Sequence, residues 1–266
     1  MTVDRELLGL RSDHYLSKES PNNPRRNRMS RTKKNPVTAR RGVSLNVVLT
    51  AVVVLLAAAV FGGVLLFQRD GAEDRTAVLV PAGAHTLSKV DGDRVVLVEF
   101  LDFQCPACSA YYSGVTRKLE DDYRGRVTIV PRNLPLEMHP LALPAAQAAE
   151  AAGRQGKYAE MYHALYGNYD RWAVDGQNTS ADRDRAIGLF EQFATAAGLD
   201  LDRFRADMAS ADVRAAIDRD VADARKLGVQ STPTLFLNGE QFQPSGKSFA
   251  DVDRELRAKI DAALAG

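Results

Sequence analysis

The longest unbroken apolar run lies between Gly42 and Gln68, a stretch with no charged residue. Its centre, Leu45 to Phe67, is 23 residues dominated by Val, Leu and Ala, with no amphipathic stripe. A helix of that length spans roughly 35 Å, enough to cross a hydrocarbon core. The pattern predicts a transmembrane helix over 43–68. A cleaved signal peptide is the rival, but its apolar region is usually about 7–15 residues and ends at a small-x-small site. No clear site of that kind follows here.

Beyond the run the periodicity changes. Residues 69–92 read as a linker with a short first strand at Ala77–Val80. Arg94–Leu101 is apolar on both faces, as a central strand covered by helices would be. Ala107–Tyr123 has helical spacing, with Pro106 at its start. Arg126–Pro131 reads as a second strand. Residues 140–168 and 181–226, rich in Ala, Arg, Glu, Asp and Leu, predict several helices with breaks near Gly167–Thr179 and at Gly198. Thr234–Leu237 then reads as a strand, Asn238-Gly239 as a tight hairpin turn and Gln241-Phe242 as its partner. Ser248–Leu264 predicts a closing helix capped by Ser248. The order is strand–helix–strand, helical block, hairpin, helix. It defines an α/β domain over 93–266 with a helical insertion at about 140–226.

Charge gives this arrangement a direction. Residues 1–42 hold eleven Lys/Arg against four Asp/Glu, a net +7, so the rest of the chain is −6 under a total of +1. A basic, Asn- and Pro-rich segment with few large apolar residues reads as disordered. Beside an apolar run it favours anionic lipid over nucleic acid, and no nucleic-acid partner is expected. The positive-inside rule places this flank in the cytoplasm and the 93–266 domain outside the cell membrane, in a single-pass topology.

The chain has two cysteines, three residues apart in Cys105-Pro106-Ala107-Cys108. The pair sits where a strand hands over to a helix. Residues i and i+3 of a first turn share a face, close enough to form a disulfide with little backbone movement. The helix N-terminus presents unpaired N–H groups and partial positive charge, both of which favour a thiolate at Cys105. Cys105 is therefore expected to be the exposed nucleophile and Cys108, one turn in, the resolving thiol. A half metal site is the competing reading. Zinc wants four ligands, and no second CxxC accompanies the four scattered histidines, so no metal is expected. No dissociable cofactor is expected either, because the electrons reside on the Cys105–Cys108 sulfurs. Tyr169 and Trp172, in a Gly/Asp-rich stretch, read as a substrate-facing loop or as packing between insertion helices.

Val96-Leu-Val-Glu-Phe-Leu-Asp-Phe-Gln-Cys-Pro-Ala-Cys108 resembles the active-site segment of DsbA-like proteins in the thioredoxin superfamily. Pro131–Pro140, Ala145–Leu165 and Leu227–Gly239 resemble later parts of the same family, so the likeness covers about 77–264. It implies a thioredoxin-like fold with a helical insertion, here preceded by a single transmembrane helix. It implies a cis peptide at Thr232–Pro233, packed against the active site, with the backbone of Thr232 binding the substrate chain. It also implies that Glu99, six residues before Cys105, relays protons to and from the resolving cysteine. The implied activity is thiol–disulfide exchange on exported proteins, with a membrane redox partner to recharge the site. The alternatives are a non-catalytic partner- or metal-binding module and a dedicated reductase for cytochrome assembly. Ala107 departs from the strongest oxidants of the family, which carry histidine there, and so a less oxidising couple is expected. His139 and His163 read as structural or surface residues.

Overall fold

The structure is a computed structural model that describes residues 44–92, 94–246 and 248–266, with backbone only at 63–74. The basic segment 1–42 lies outside the described residues. The chain divides into two compact units, 1–54 and 55–266.

In the first unit the described residues enter helix α1 (Leu45–Leu79), and they are exposed up to Val54. The stretch Leu45–Gly62 is long and apolar enough to cross a membrane, and none of it is buried by protein. The expected linker and first strand are corrected here, because α1 continues through Ala77–Leu79. A three- or four-residue apolar run fits either element by pattern. As helix, it places Leu79 in the apolar cluster of Val98, Phe100, Val130 and Phe236.

The second unit is built on a four-stranded sheet. Its strands are β1 (Val96–Leu101), β2 (Thr128–Asn133), β5 (Thr234–Leu237) and β6 (Glu240–Gln241), in the order β2-β1-β5-β6. Strands β1 and β2 run parallel with Glu99 opposite Pro131, and β5 lies antiparallel to β1 with Leu235 opposite Glu99. Both faces of β1 are covered, which is why its sequence shows no polar alternation. One face carries Leu97 against Tyr111, Val115 and Leu119; the other carries Val98 and Phe100 against Val130, Phe236 and Ala224. Between β1 and β2 the chain forms α2 (Pro106–Tyr111), a π-helical turn (Tyr112–Thr116) and α3 (Arg117–Asp122), where an uninterrupted helix was expected. Asn238 and Gly239 make the β5–β6 turn with φ of +49° and +87°, values suited to Asn-Gly. Helix α10 (Phe249–Ala265) closes the chain, and the Ser248 hydroxyl accepts from Asp251 N–H at 3.1 Å as a cap.

The insertion contains α4 (Ala142–Gly153), α5 (Tyr158–Gly167), α6 (Tyr169–Trp172), α7 (Arg183–Ala196), α8 (Leu201–Met208) and α9 (Ala211–Lys226). A small β3–β4 hairpin (Val174–Asp175, Asn178–Thr179) fills the expected break before α7. The alanines of α4 let α5, α8 and α9 pack closely around it. Across the other face of the sheet, Arg132 is only 1 % exposed. Its guanidinium donates to Asp220 Oδ1 at 2.7 Å, Asp223 Oδ2 at 2.8 Å and the Val78 and Leu79 carbonyls at 2.7 Å each. One buried cation thus satisfies two carboxylates and the last carbonyls of α1. Arg132→Ala strands those groups and should lower unfolding stability by roughly 3–5 kcal/mol. Denaturant titration of the full chain in detergent, followed by Trp172 fluorescence, reads the change.

Candidate active site

Strand β1 ends at Leu101, and four residues later Cys105 caps α2 in extended conformation (φ −67°, ψ 123°) with Pro106 in the first turn. Proline fits there because its missing N–H would be unpaired in any case. Cys105 and Cys108 are both free thiols, 7 % and 0 % exposed. The expected exposure of Cys105 is thus corrected to a narrow opening, while Pro106 and Ala107 stand exposed beside it. The ranking of the two sulfurs is as expected: only Cys105 reaches the surface.

Their electrostatics diverge accordingly. The Cys108 side chain donates to the Cys105 sulfur and, with help from the Cys108 backbone N–H, outweighs the cost of burial. The Cys105 thiol is lowered to about 5. Cys108 is held well above the usual thiol range by burial, then by the Cys105 and Glu99 charges. As a thiol, Cys105 also donates to the Thr232 carbonyl at 3.7 Å. The Thr232–Pro233 peptide is cis, as expected, and both residues are partly exposed next to the cysteine.

Glu99 is 2 % exposed in the middle of β1. Thr116 Oγ1 donates to its Oε2 at 3.2 Å, while Oε1 has no hydrogen-bond partner among the described residues. Burial raises its pKa to about 7, with the Thr116 bond opposing. The carboxyl therefore changes protonation near neutrality, within electrostatic reach of Cys108. The two shifts act oppositely on folding. Ionised Glu99 penalises the fold increasingly from pH 4.5 up to about 7. Cys105 stabilises the dithiol form fully above pH 9, and that stabilisation is lost as pH falls through about 5.

Comparison with known proteins agrees with the fold that carries this site. The thioredoxin family model matches residues 93–256. The chain belongs to the thioredoxin family. Among solved structures, BdbD from Bacillus subtilis (oxidised) is 22 % identical, with a TM-score of 0.56 over 69 % of this chain and 94 % of that one. A thioredoxin-like oxidoreductase from Silicibacter pomeroyi DSS-3 is 28 % identical, with a TM-score of 0.54 over 71 % and 98 %. Wolbachia pipientis alpha-DsbA1 is 19 % identical, with a TM-score of 0.56 over 72 % and 96 %. The expected thioredoxin-like fold is borne out. Curated relatives carry another name. An Na(+)/H(+) antiporter NhaA 1 of Mycolicibacterium vanbaalenii is 34 % identical over 60 % of this chain and 26 % of that protein. The namesake of Salinispora arenicola is 38 % identical over 65 % and 24 %. The chain spans about a quarter of the length of these relatives.

In this thioredoxin-family site, two residues that sequence reasoning missed lie directly before the nucleophile. Asp102 is buried and accepts from Gln104 N–H at 2.7 Å and Leu136 N–H at 2.9 Å, with His139 Nδ1 at 2.6 Å. His139 is therefore structural, fixing the 134–141 loop against the active-site turn. Gln104 is fully buried and reaches across to the insertion. The only available signal was two polar residues inside an otherwise apolar run. His163 bridges the Tyr112 hydroxyl (3.1 Å) and Glu120 (3.2 Å), away from the sulfurs. Trp172 packs inside the insertion and donates to the Leu165 carbonyl at 2.8 Å.

Thiolate absorbance near 240 nm in the reduced protein should titrate with a midpoint of about 5. Cys108→Ala removes the largest stabilising contact and should raise that midpoint by about one unit or more.

Proposed function

We propose that this protein is a membrane-anchored thiol–disulfide oxidoreductase that exchanges disulfides with exported proteins outside the cytoplasm. The observation that carries the reading is the division of labour between the two sulfurs. Cys105 opens to the surface with a depressed pKa, beside Pro233, and Cys108 lies buried behind it as a thiol.

In the oxidising direction a substrate thiolate attacks Cys105 Sγ of the disulfide. A new S–S bond forms, the Cys105–Cys108 bond breaks, and Cys108 leaves with the electron pair. Cys108 then takes a proton that Glu99 supplies, by way of water. A second substrate thiolate attacks the mixed disulfide, and Cys105 departs as a stable thiolate. Two electrons pass from the substrate to the site. In the reducing direction the same steps run backwards, with Cys105 as attacking thiolate. The backbone at Thr232 holds the substrate chain as an added strand. No further cofactor enters the cycle. A membrane redox protein restores the site after each turnover.

The α1 stretch Leu45–Gly62, the +7 charge before it and the acidic balance after it support an anchor with its N-terminus in the cytoplasm. The anchor helix is taken as 43–68 and the catalytic domain as 93–266. The dithiol site supports exchange chemistry in preference to the ion antiport that names the longer relatives. Ala107 reaches the Cys105 sulfur only through its backbone N–H and has no polar side chain to add, so the couple is less oxidising than the most extreme DsbA-like proteins.

Cys108→Ala leaves a mixed disulfide without its resolving thiol. Expressed in the native membrane, this variant should accumulate covalent adducts with cysteine-containing exported proteins, visible on non-reducing gels and lost on reduction. A folded, exported variant that traps nothing would contradict the proposal.

A further inference from the structure

The peptide unit before Cys105 sets where its sulfur points, and both ends of that unit are held. The Gln104 carbonyl accepts from the Tyr169 hydroxyl at 2.7 Å. The Cys105 N–H donates to the Asp102 carbonyl at 3.1 Å. The Gln104 side chain fastens the same residue from another side. Its Nε2 donates to the Ala173 carbonyl at 2.9 Å and the Ser180 carbonyl at 2.7 Å, and its Oε1 accepts from Leu141 N–H at 2.6 Å. Ala173, Ser180 and Tyr169 belong to the insertion, and Leu141 ends the loop that leads into it. The stabilising contacts to the Cys105 sulfur come instead from outside the insertion, chiefly from Cys108 on the helix that follows, with smaller ones from Thr232 and the Ala107 backbone. Rotating the Gln104–Cys105 peptide would break the Tyr169 bond and swing the sulfur relative to Cys108.

We propose that Tyr169, acting with Gln104, is a positioning residue for the nucleophile. The insertion clamps the peptide before Cys105, so that the thiolate sits where Cys108 donates to it. Tyr169 touches neither substrate nor sulfur in this role; it acts through the Gln104 carbonyl. A buried turn needs polar partners whatever its function. The two roles separate in their readout: a scaffold contact moves stability, and a positioning contact moves the thiolate. The inference rests on the reading of Cys105 as nucleophile.

The test uses the reduced full chain in detergent, with thiolate absorbance followed against pH and melting temperature measured alongside. Tyr169→Phe deletes one hydroxyl and keeps the ring. It should raise the Cys105 midpoint by about half a unit or more, with a melting temperature close to wild type. Gln104→Leu should raise the midpoint further where the variant folds; Tyr169→Phe decides the matter where it does not. A Tyr169→Phe protein with the wild-type midpoint overturns the proposal, whatever its melting temperature. A wild-type protein with no thiolate transition near pH 5 overturns the nucleophile assignment itself, and this is read before any variant is compared.

Discussion

A turn sunk beneath a protein surface must find partners for every polar group it carries. Asp102–Cys105 is such a turn, each of its residues buried, lying between the end of β1 and the start of α2. Asp102 and Gln104 solve the problem by reaching outward, Asp102 to the 134–141 loop and Gln104 to that loop and the insertion. The insertion is therefore part of the site, although it contributes neither sulfur. Strand β1 and helix α2 bring the cysteines together, and the insertion fixes the angle at which the first is presented.

Three ionisable groups then share one poorly hydrated region, and their order decides the chemistry. Cys105 is the strongest acid at about 5, Glu99 follows at about 7, and Cys108 lies well above the ordinary thiol range. At neutral pH the negative charge resides on the sulfur at the surface, and the inner sulfur keeps its proton. Glu99 can hold or release a proton at the pH where exchange takes place, since burial has moved it there. The geometry favours a thiolate leaving group at Cys105 in either direction of electron flow. That is why the arrangement supports exchange more firmly than it supports oxidation or reduction alone.

Much of this was legible in the sequence because it is local. The apolar run, the strand before the cysteines, Pro106 in the first turn, the Asn238-Gly239 turn and the Ser248 cap each depend on residues a few positions apart. Glu99 and the cis peptide at Thr232–Pro233 came from resemblance, since neither a lone glutamate nor a Thr-Pro pair carries its role in its spacing. What stayed hidden is long-range. Arg132 earns its burial from Asp220 and Asp223, about ninety residues on, and from the end of α1. Gln104 depends on Ala173 and Ser180, some seventy residues away. Tyr169 and Trp172 looked alike in sequence, yet one reaches the active-site turn and the other stays inside the insertion. The continuation of α1 through Leu79 was missed because a few apolar residues fit helix and strand equally until their neighbours are known.

The claim on which the rest turns is that Cys105 and Cys108 form a working redox couple and not a closed structural bridge. The reduction potential of the pair, equilibrated against glutathione in the full-length protein, tests this most directly. The stabilised Cys105 thiolate and the lack of a polar side chain at Ala107 together predict a value between about −120 mV and about −270 mV, the span from DsbA to thioredoxin. A value below about −300 mV, the range of inert structural disulfides, would contradict it.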